Sequence, residues 1–298
     1  MNDNCKILYT FEKSYHISHN QDFVCCVGSC VNLYDIGSGE LIYKFKDIKY
    51  PSCSKFTSNK TLIVKTAGGS YYIYDLVSMS FVKKILPPKN ALGSTSEFQI
   101  TADNKYIIDF SYSFPTKELV VIDIETGKYN YFNLGYCRKG FVFSTAKSSE
   151  YYVIANCAET NDAPDTGFQE YYELIYKSGK FKLQKLFNDS RGKLAIADFI
   201  SNKFAIADYS NRISFFDAKK IFVDELKYEK NGILYDLKLS KDGRYIALAE
   251  SQKVYIYNLD DKKCVKTYEV KNGCFVDFLD DTRLLVGTWN KGYCLEIG

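Results

Sequence analysis

The chain is short of the residues that build most recognisable catalytic centres. It has two histidines, one tryptophan, two methionines and five prolines in 298 residues. Two histidines cannot supply a multi-histidine metal centre, and His16 and His19 read as surface or turn residues beside the first strand of the first repeat, although a His–carboxylate arrangement stays open. There is no G-x-S-x-G nucleophile elbow, no G-x-x-x-x-G-K-[ST] phosphate loop and no H-E-x-x-H zinc motif. Gly68-Gly69-Ser70 opens no helix and reads as a tight hairpin turn between two strands. No Pro/Ser/Gly-rich stretch divides the chain, so residues 1–298 are expected to form a single domain. No apolar run approaches the roughly eighteen residues of a membrane helix, and the first residues lack the apolar core of a secretory signal. These absences lead to the expectation of a cytoplasmic chain with no membrane partner.

Charge of one sign is also missing. Lys and Arg number 39 against 36 Asp and Glu, a formal net charge of +3, and the two signs alternate along the whole length. A nucleic-acid reader would show a basic stripe, so no nucleic-acid partner is expected. The ten cysteines are spread through strand-like segments such as Phe23-Val24-Cys25-Cys26-Val27 and Gly273-Cys274-Phe275-Val276, where they serve as small apolar residues in the reduced state. Cys25, Cys26, Cys30 and Cys53 could approach one another as a zinc site, but no C-x2-C knuckle is present and an adjacent pair points to opposite faces of a strand. Neither metal nor cofactor is expected.

What the chain does have is a phrase that keeps returning: a run of β-formers ending in an aromatic or apolar residue and an Asp or Asn, then a turn. It stands as Leu33-Tyr34-Asp35-Ile36, Ile73-Tyr74-Asp75-Leu76, Val121-Ile122-Asp123-Ile124, Phe215-Phe216-Asp217 and Ile256-Tyr257-Asn258-Leu259, with echoes at Ile175-Tyr176 and Leu295-Glu296. Equivalent positions are 40, 48, 53, 41, 41 and 38 residues apart. A period near forty built from short strands belongs to a propeller blade and not to a helical repeat.

The sixth unit shows the grammar best. Residues 233–239 form a first strand, Ser240-Lys241-Asp242-Gly243 a turn, residues 244–249 a second strand, 253–258 a third and 264–270 an outer fourth. Second strands are expected at 23–27, 62–65, 106–110, 151–155, 204–207 and 284–287. The last unit has only three strands, while residues 6–11 form a lone strand ahead of the first unit. The fold predicted is therefore all-β: a seven-bladed β-propeller of four-stranded antiparallel blades, its ring closed by the N-terminal strand completing the last blade.

Residues Leu237-Lys238-Leu239-Ser240-Lys241-Asp242-Gly243-Arg244-Tyr245-Ile246-Ala247, followed by Val254-Tyr255-Ile256-Tyr257-Asn258-Leu259, resemble the WD-repeat β-propeller family. The turns Asp35-Ile36-Gly37-Ser38-Gly39 and Asp123-Ile124-Glu125-Thr126-Gly127 are similar to the one that follows the family's aromatic–Asp pair. The chain departs from the family in that Trp289 lies outside that pair and the family's Gly-His dipeptide is absent. The resemblance implies a divergent, WD-like scaffold.

Loop length then separates two faces. The connections between second and third strands, and those leading to the next blade, emerge together, and they are the long ones: residues 156–170, 111–117, 87–94, 135–140 and 188–193. The opposite turns are tight. The elaborated face is expected to carry Tyr50, Tyr112, Phe114, Tyr136, Arg138, Phe168, Arg191, Tyr209 and Trp289, rich in the aromatic and Arg anchors of protein interfaces. The acidic stretch 159–167 lacks the alternating order of a calcium loop and reads as solvated. The function expected is a non-catalytic scaffold binding a protein or peptide on that face, as a monomer or within a hetero-complex. The competing class is an enzyme of hydrolase or lyase type with its site at the channel mouth, built from Asp109, Asp198, Asp208, Asp236 and Asp277. Such strand-end carboxylates more often bond neighbouring backbone.

Overall fold

A computed structural model describes residues 6–57, 60–89, 91, 97–113, 116–145, 147–158, 168–189, 196–200, 202–208, 211–217, 222–229 and 231–297. Every regular element among them is a strand. The first, β1 (Ile7–Phe11), stands alone in sequence. Blade one follows as β2 (His16–His19), β3 (Phe23–Val27), β4 (Val31–Asp35) and β5 (Leu41–Phe45), and blade two as β6 (Pro51–Phe56), β7 (Thr61–Thr66), β8 (Tyr71–Asp75) and β9 (Ser80–Ile85). Next come β10 (Gln99–Ile100), β11 (Tyr106–Ser113), β12 (Thr116–Asp123), β13 (Tyr129–Ser144), β14 (Glu150–Ala158), β15 (Phe168–Lys177) and β16 (Lys180–Asp189), joined in one seven-stranded sheet. Blade five is β17 (Ile196–Ile200), β18 (Lys203–Ala207), β19 (Arg212–Asp217) and β20 (Phe222–Lys227). Blade six is β21 (Leu234–Leu239), β22 (Tyr245–Glu250), β23 (Lys253–Asn258) and β24 (Cys264–Glu269), and blade seven is β25 (Gly273–Phe278), β26 (Arg283–Thr288), β27 (Gly292–Glu296) and the returning β1.

The seven-stranded sheet is two blades with one strand in common. The 16 residues of β13 pair with β12 through Tyr129–Phe132 and with β14 from Tyr136 onward, so one strand is outermost in blade three and innermost in blade four. Cys137 faces Lys117 on one side and Cys157 on the other. The change of partner is made at Gly135, whose φ of 67° lies in the left-handed region and whose N–H donates to Asn133 Oδ1 at 2.7 Å. The fold is thus a seven-bladed β-propeller of four-stranded antiparallel blades.

The chain divides into two compact units, Met1–Ser54 with Ile196–Gly298, and Lys55–Ala195. In the first, β1 completes blade seven: Ile7 faces Leu295, Tyr9 faces Cys294 and Phe11 faces Gly292, and Glu296 N–H donates to Lys6 C=O at 3.0 Å. Phe11 is 4% exposed and packs with Ile17, Val24, Cys26, Leu285 and Cys294, filling the space between blades seven and one. The crossing is close. A Cβ on Gly287 would lie 2.3 Å from Ser14 C=O, so only glycine admits the chain there.

The recurring Asp or Asn makes the turn that follows strand three. Asp35 Oδ1 accepts from Gly37 N–H (3.0 Å) and Ser38 N–H (2.7 Å), Asp75 Oδ1 from Val77 N–H (2.7 Å) and Ser78 N–H (3.0 Å), Asp123 Oδ1 from Thr126 N–H (2.7 Å), and Asn258 Oδ1 from Asp260 N–H (2.8 Å). Four residues after each stands a residue of positive φ: Gly39, Met79, Gly127 and Lys262. At these four positions the repeat legible in the sequence is therefore an Asx-turn that starts the outer hairpin.

Several expected loops are strand instead. Residues 111–113 and 116–117 prolong the β11–β12 hairpin as far as the Ser113–Thr116 pair, residues 135–140 lie within β13, and 188–189 extend β16. Of the expected loop 156–170, only 159–167 falls outside β14 and β15, and those residues lie outside the described ones. The reason is common to all: a hairpin with β-forming residues on both arms satisfies its backbone N–H and C=O groups by lengthening the ladder.

Candidate functional site

The carboxylates considered for catalysis hold blades together. Asp198 on β17 accepts from Leu239 N–H of blade six at 2.8 Å, and Asp236 on β21 accepts from Val276 N–H of blade seven at 3.0 Å. Asp277 on β25 lies 3.7 Å from His19 Nε2 of blade one. Asp198, Asp277 and Ser18 occupy one register position, each opposite the third residue of the following strand, Ala205, Leu285 and Cys25. Ser18 continues the series with a 2.7 Å hydrogen bond to Ser54. In the second unit, Asp109 on β11 meets Lys65 Nζ on β7 at 2.5 Å and accepts from Tyr71 OH at 2.5 Å, with Lys65 and Asp109 no more than 1% exposed. Asp208, just beyond β18, is engaged as well.

His16 and His19 are a correction: they are the ends of the buried strand β2, not turn or surface residues. His16 is 7% exposed, its ring packs 5.0 Å from that of Phe275, and its Nδ1 accepts from Ser54 N–H. The Cys25–Cys26 pair splits across its strand as read from the sequence. Cys26 enters the cluster with Phe11 and Leu285, while Cys25 meets the hydroxyls of Ser18 and Ser54; burial pushes the Cys25 thiol up to about 12. Among the described residues no group of three or more His, Cys, Asp or Glu side chains could hold a metal ion.

Blade four carries a second polar cluster, around Glu170. Burial alone would raise the carboxyl, but Lys185, Tyr172 OH and the Cys157 thiol all bond to it and hold it below its ordinary value. Such a network satisfies itself. A concavity of about 490 Å³ lies away from it, at the end of the sheet that holds the β15–β16 turn, lined by Tyr106, Asp123, Lys128, Phe132, Lys180 and Phe181.

The most distinctive exposed group lies in the first unit. Trp289 sits in the β26–β27 turn, held by Trp289 N–H donating to Asn272 C=O at 3.1 Å and by Thr288 Oγ1, which accepts from Asn290 and Lys291 N–H at 3.1 and 2.9 Å. Its ring stands 5.3 Å from that of Tyr15, and Lys13 Nζ lies 6.0 Å from its centroid. Tyr15 OH donates to Pro51 C=O, tying the residues before β2 to the connection that carries Tyr50. Trp289 is nevertheless 48% exposed and Tyr50 80%, the latter at φ 53°. The Trp289–Tyr15 ring pair and, tied to it through Pro51, the connection that carries Tyr50 make up one aromatic ledge drawn from three chain segments.

Of the nine residues expected on the elaborated face, Tyr50 and Trp289 belong to this ledge. Tyr112, Tyr136, Arg138 and Phe168 are placed in strands β11, β13, β13 and β15 rather than in loops. Phe114, Arg191 and Tyr209 lie outside the described residues. Tyr15 and Lys13 were not among the nine; both precede a strand whose histidines draw attention, and only the crossing from blade seven to blade one brings them to Trp289.

No protein-family model matches the chain, and no curated protein is significantly similar to it.

Proposed function

We propose that this is a divergent, WD-like propeller scaffold that binds a protein or peptide on the ledge of Trp289, Tyr15 and Tyr50. The observation that carries this reading is the exposure of Trp289 on a turn fixed by hydrogen bonds, with the exposed Tyr50 next to the Pro51 that Tyr15 holds, where most other aromatic rings of the unit are packed between strands. A rigid, half-exposed Trp beside a Tyr is the usual anchor of an interface and binds at small cost in conformational entropy. Tyr112, Phe114, Tyr136, Arg138, Phe168, Arg191 and Tyr209 are proposed as further contacts. All nine described cysteines are free thiols, which suits a reducing, cytoplasmic setting. A monomer or a member of a hetero-complex would serve the same role.

The test is affinity capture from a native lysate with the intact protein and with a Trp289→Ala, Tyr50→Ala variant, after both are shown to melt alike. A partner retained by the first and lost by the second supports the scaffold. Identical capture by both removes the ledge from the reading.

A further inference from the structure

We infer that the ledge selects an acidic partner segment, a polypeptide rich in Asp and Glu that also presents an aromatic side chain. This rests on the scaffold reading and narrows it. The inference starts from charge. The segments that build the ledge carry Lys13, Lys46, Lys49, Lys271 and Lys291, all exposed and each within four residues of Trp289, Tyr15, Tyr50 or Asn272, whose C=O holds Trp289. The same segments carry three acids, Glu12, Asp47 and Glu269, of which Glu269 is paired with Lys253 Nζ at 3.3 Å. Glu12 is already held by Asn32 Nδ2 at 2.9 Å and by Lys44 Nζ at 3.2 Å, which keep its carboxyl below the ordinary range. Asp47 is likewise engaged. A chain of nearly balanced overall charge therefore carries an excess of cations on the segments that bear Trp289, Tyr15 and Tyr50, with Lys13 Nζ 6.0 Å from the tryptophan ring.

Chemistry follows from that placement. The Trp289 and Tyr15 rings, 38° apart, offer one aromatic wall against which a partner's ring or apolar side chain can pack. The surrounding ammonium groups are flexible point charges, suited to carboxylates in variable positions rather than to one fixed fork. Such rim charges steer encounter and choose between partners more than they add affinity, and a basic segment would be repelled.

The sole tryptophan is its own reporter. Its emission, excited where tyrosine does not absorb, would be followed while the full chain is titrated with a random glutamate–tyrosine copolymer, a lysine–tyrosine copolymer and a single-stranded oligothymidylate. A saturable change with the glutamate–tyrosine copolymer alone is expected, and the affinity should fall roughly tenfold or more between about 50 and 500 mM salt. A Lys13→Glu, Lys49→Glu, Lys291→Glu variant keeps the aromatic ledge and should lose the response while melting as the parent does. No response to the acidic copolymer, or an equal response to the basic one, overturns the inference. Tighter binding of the oligothymidylate overturns it in favour of nucleic acid. If a captured partner depends on Trp289 but not on the three lysines, the scaffold stands and the acidic partner falls.

Discussion

The two compact units solve the same problem with strands of different length. Among the described residues of 1–54 and 196–298 no strand exceeds 6 residues, whereas in 55–195 they reach 16. The short-stranded unit joins neighbouring blades through single polar groups at a repeated register position, Asp198, Asp277 and Ser18. The long-stranded unit places a charge pair, Lys65–Asp109, where it is wholly buried, and lets two blades share β13. The difference teaches where function can be displayed. Where strands stay short, a hairpin turn is left to carry Trp289 and a connection between blades to carry Tyr50. Where residues inserted into the repeat form strand, the backbone is consumed by ladder and the candidate contacts move into β11, β13 and β15.

The comparison can be broken most severely at the closure of blade seven. Deleting residues 1–12 removes β1 and Phe11 and exposes the edge of β27, so unfolding free energy should fall by about 4 kcal/mol or more; a melting temperature equal to that of the parent would refute the closure. In the other unit, Lys65→Met leaves the Asp109 carboxylate buried without its cation and should cost about 3–5 kcal/mol in a urea titration, most of it recovered in the Lys65→Met, Asp109→Leu double variant. If the double variant is no better than the single, the pair is not what that site needs.

The shared strand is tested more gently. A Cβ on Gly140 would lie 2.0 Å from Phe110 Cζ, so Gly140→Ala should lose about 1–3 kcal/mol, and adding Phe110→Leu should return part of it. The smallest effect concerns acid. Hydrogen bonds from the Ser78 and Val77 N–H groups hold the Asp75 carboxyl below its ordinary 3.8, those from Ser38 do the same for Asp35, and Asp242 is drawn down to about 2 by Ser240 and Arg244. A carboxyl depressed in the folded state stabilises fully above its unfolded value and ceases to do so as pH falls through the folded one, so stability should decline between about pH 4 and 2. Asp75→Asn, which copies Asn258 of blade six, should preserve the turn at neutral pH and make that decline shallower. An unchanged slope in pH-dependent melting would show that the turn carboxylates are not its source.

Much of the fold was legible because its signal is local. An Asx-turn needs an Asp or Asn at one position and backbone N–H groups two and three residues later, so Asp35, Asp75, Asp123 and Asn258 advertise themselves in sequence. Blade six, with its alternating strands and its Ser240–Asp242–Gly243 turn, could be read almost to the residue. The candidate site was legible only in part. Trp289 and Tyr50 stand out as exposed-turn aromatics, but Tyr15 has no sequence feature that separates it from the many Tyr of the strands.

Period, blade count and the return of residues 6–11 to the last blade were determined by the sequence, because each depends on spacing and on the balance of strands at the two ends. Tertiary structure alone decided that His16 is buried against Phe275, that the 135–140 segment is strand, and that Lys13, Tyr15, Tyr50 and Trp289 share one ledge. The physical reason is that these outcomes join segments up to 276 positions apart in the chain, Lys13 and Trp289 at the extreme. Which residues meet across such distances is set by the packing of one blade on the next, to which the local pattern of apolar and polar residues is blind.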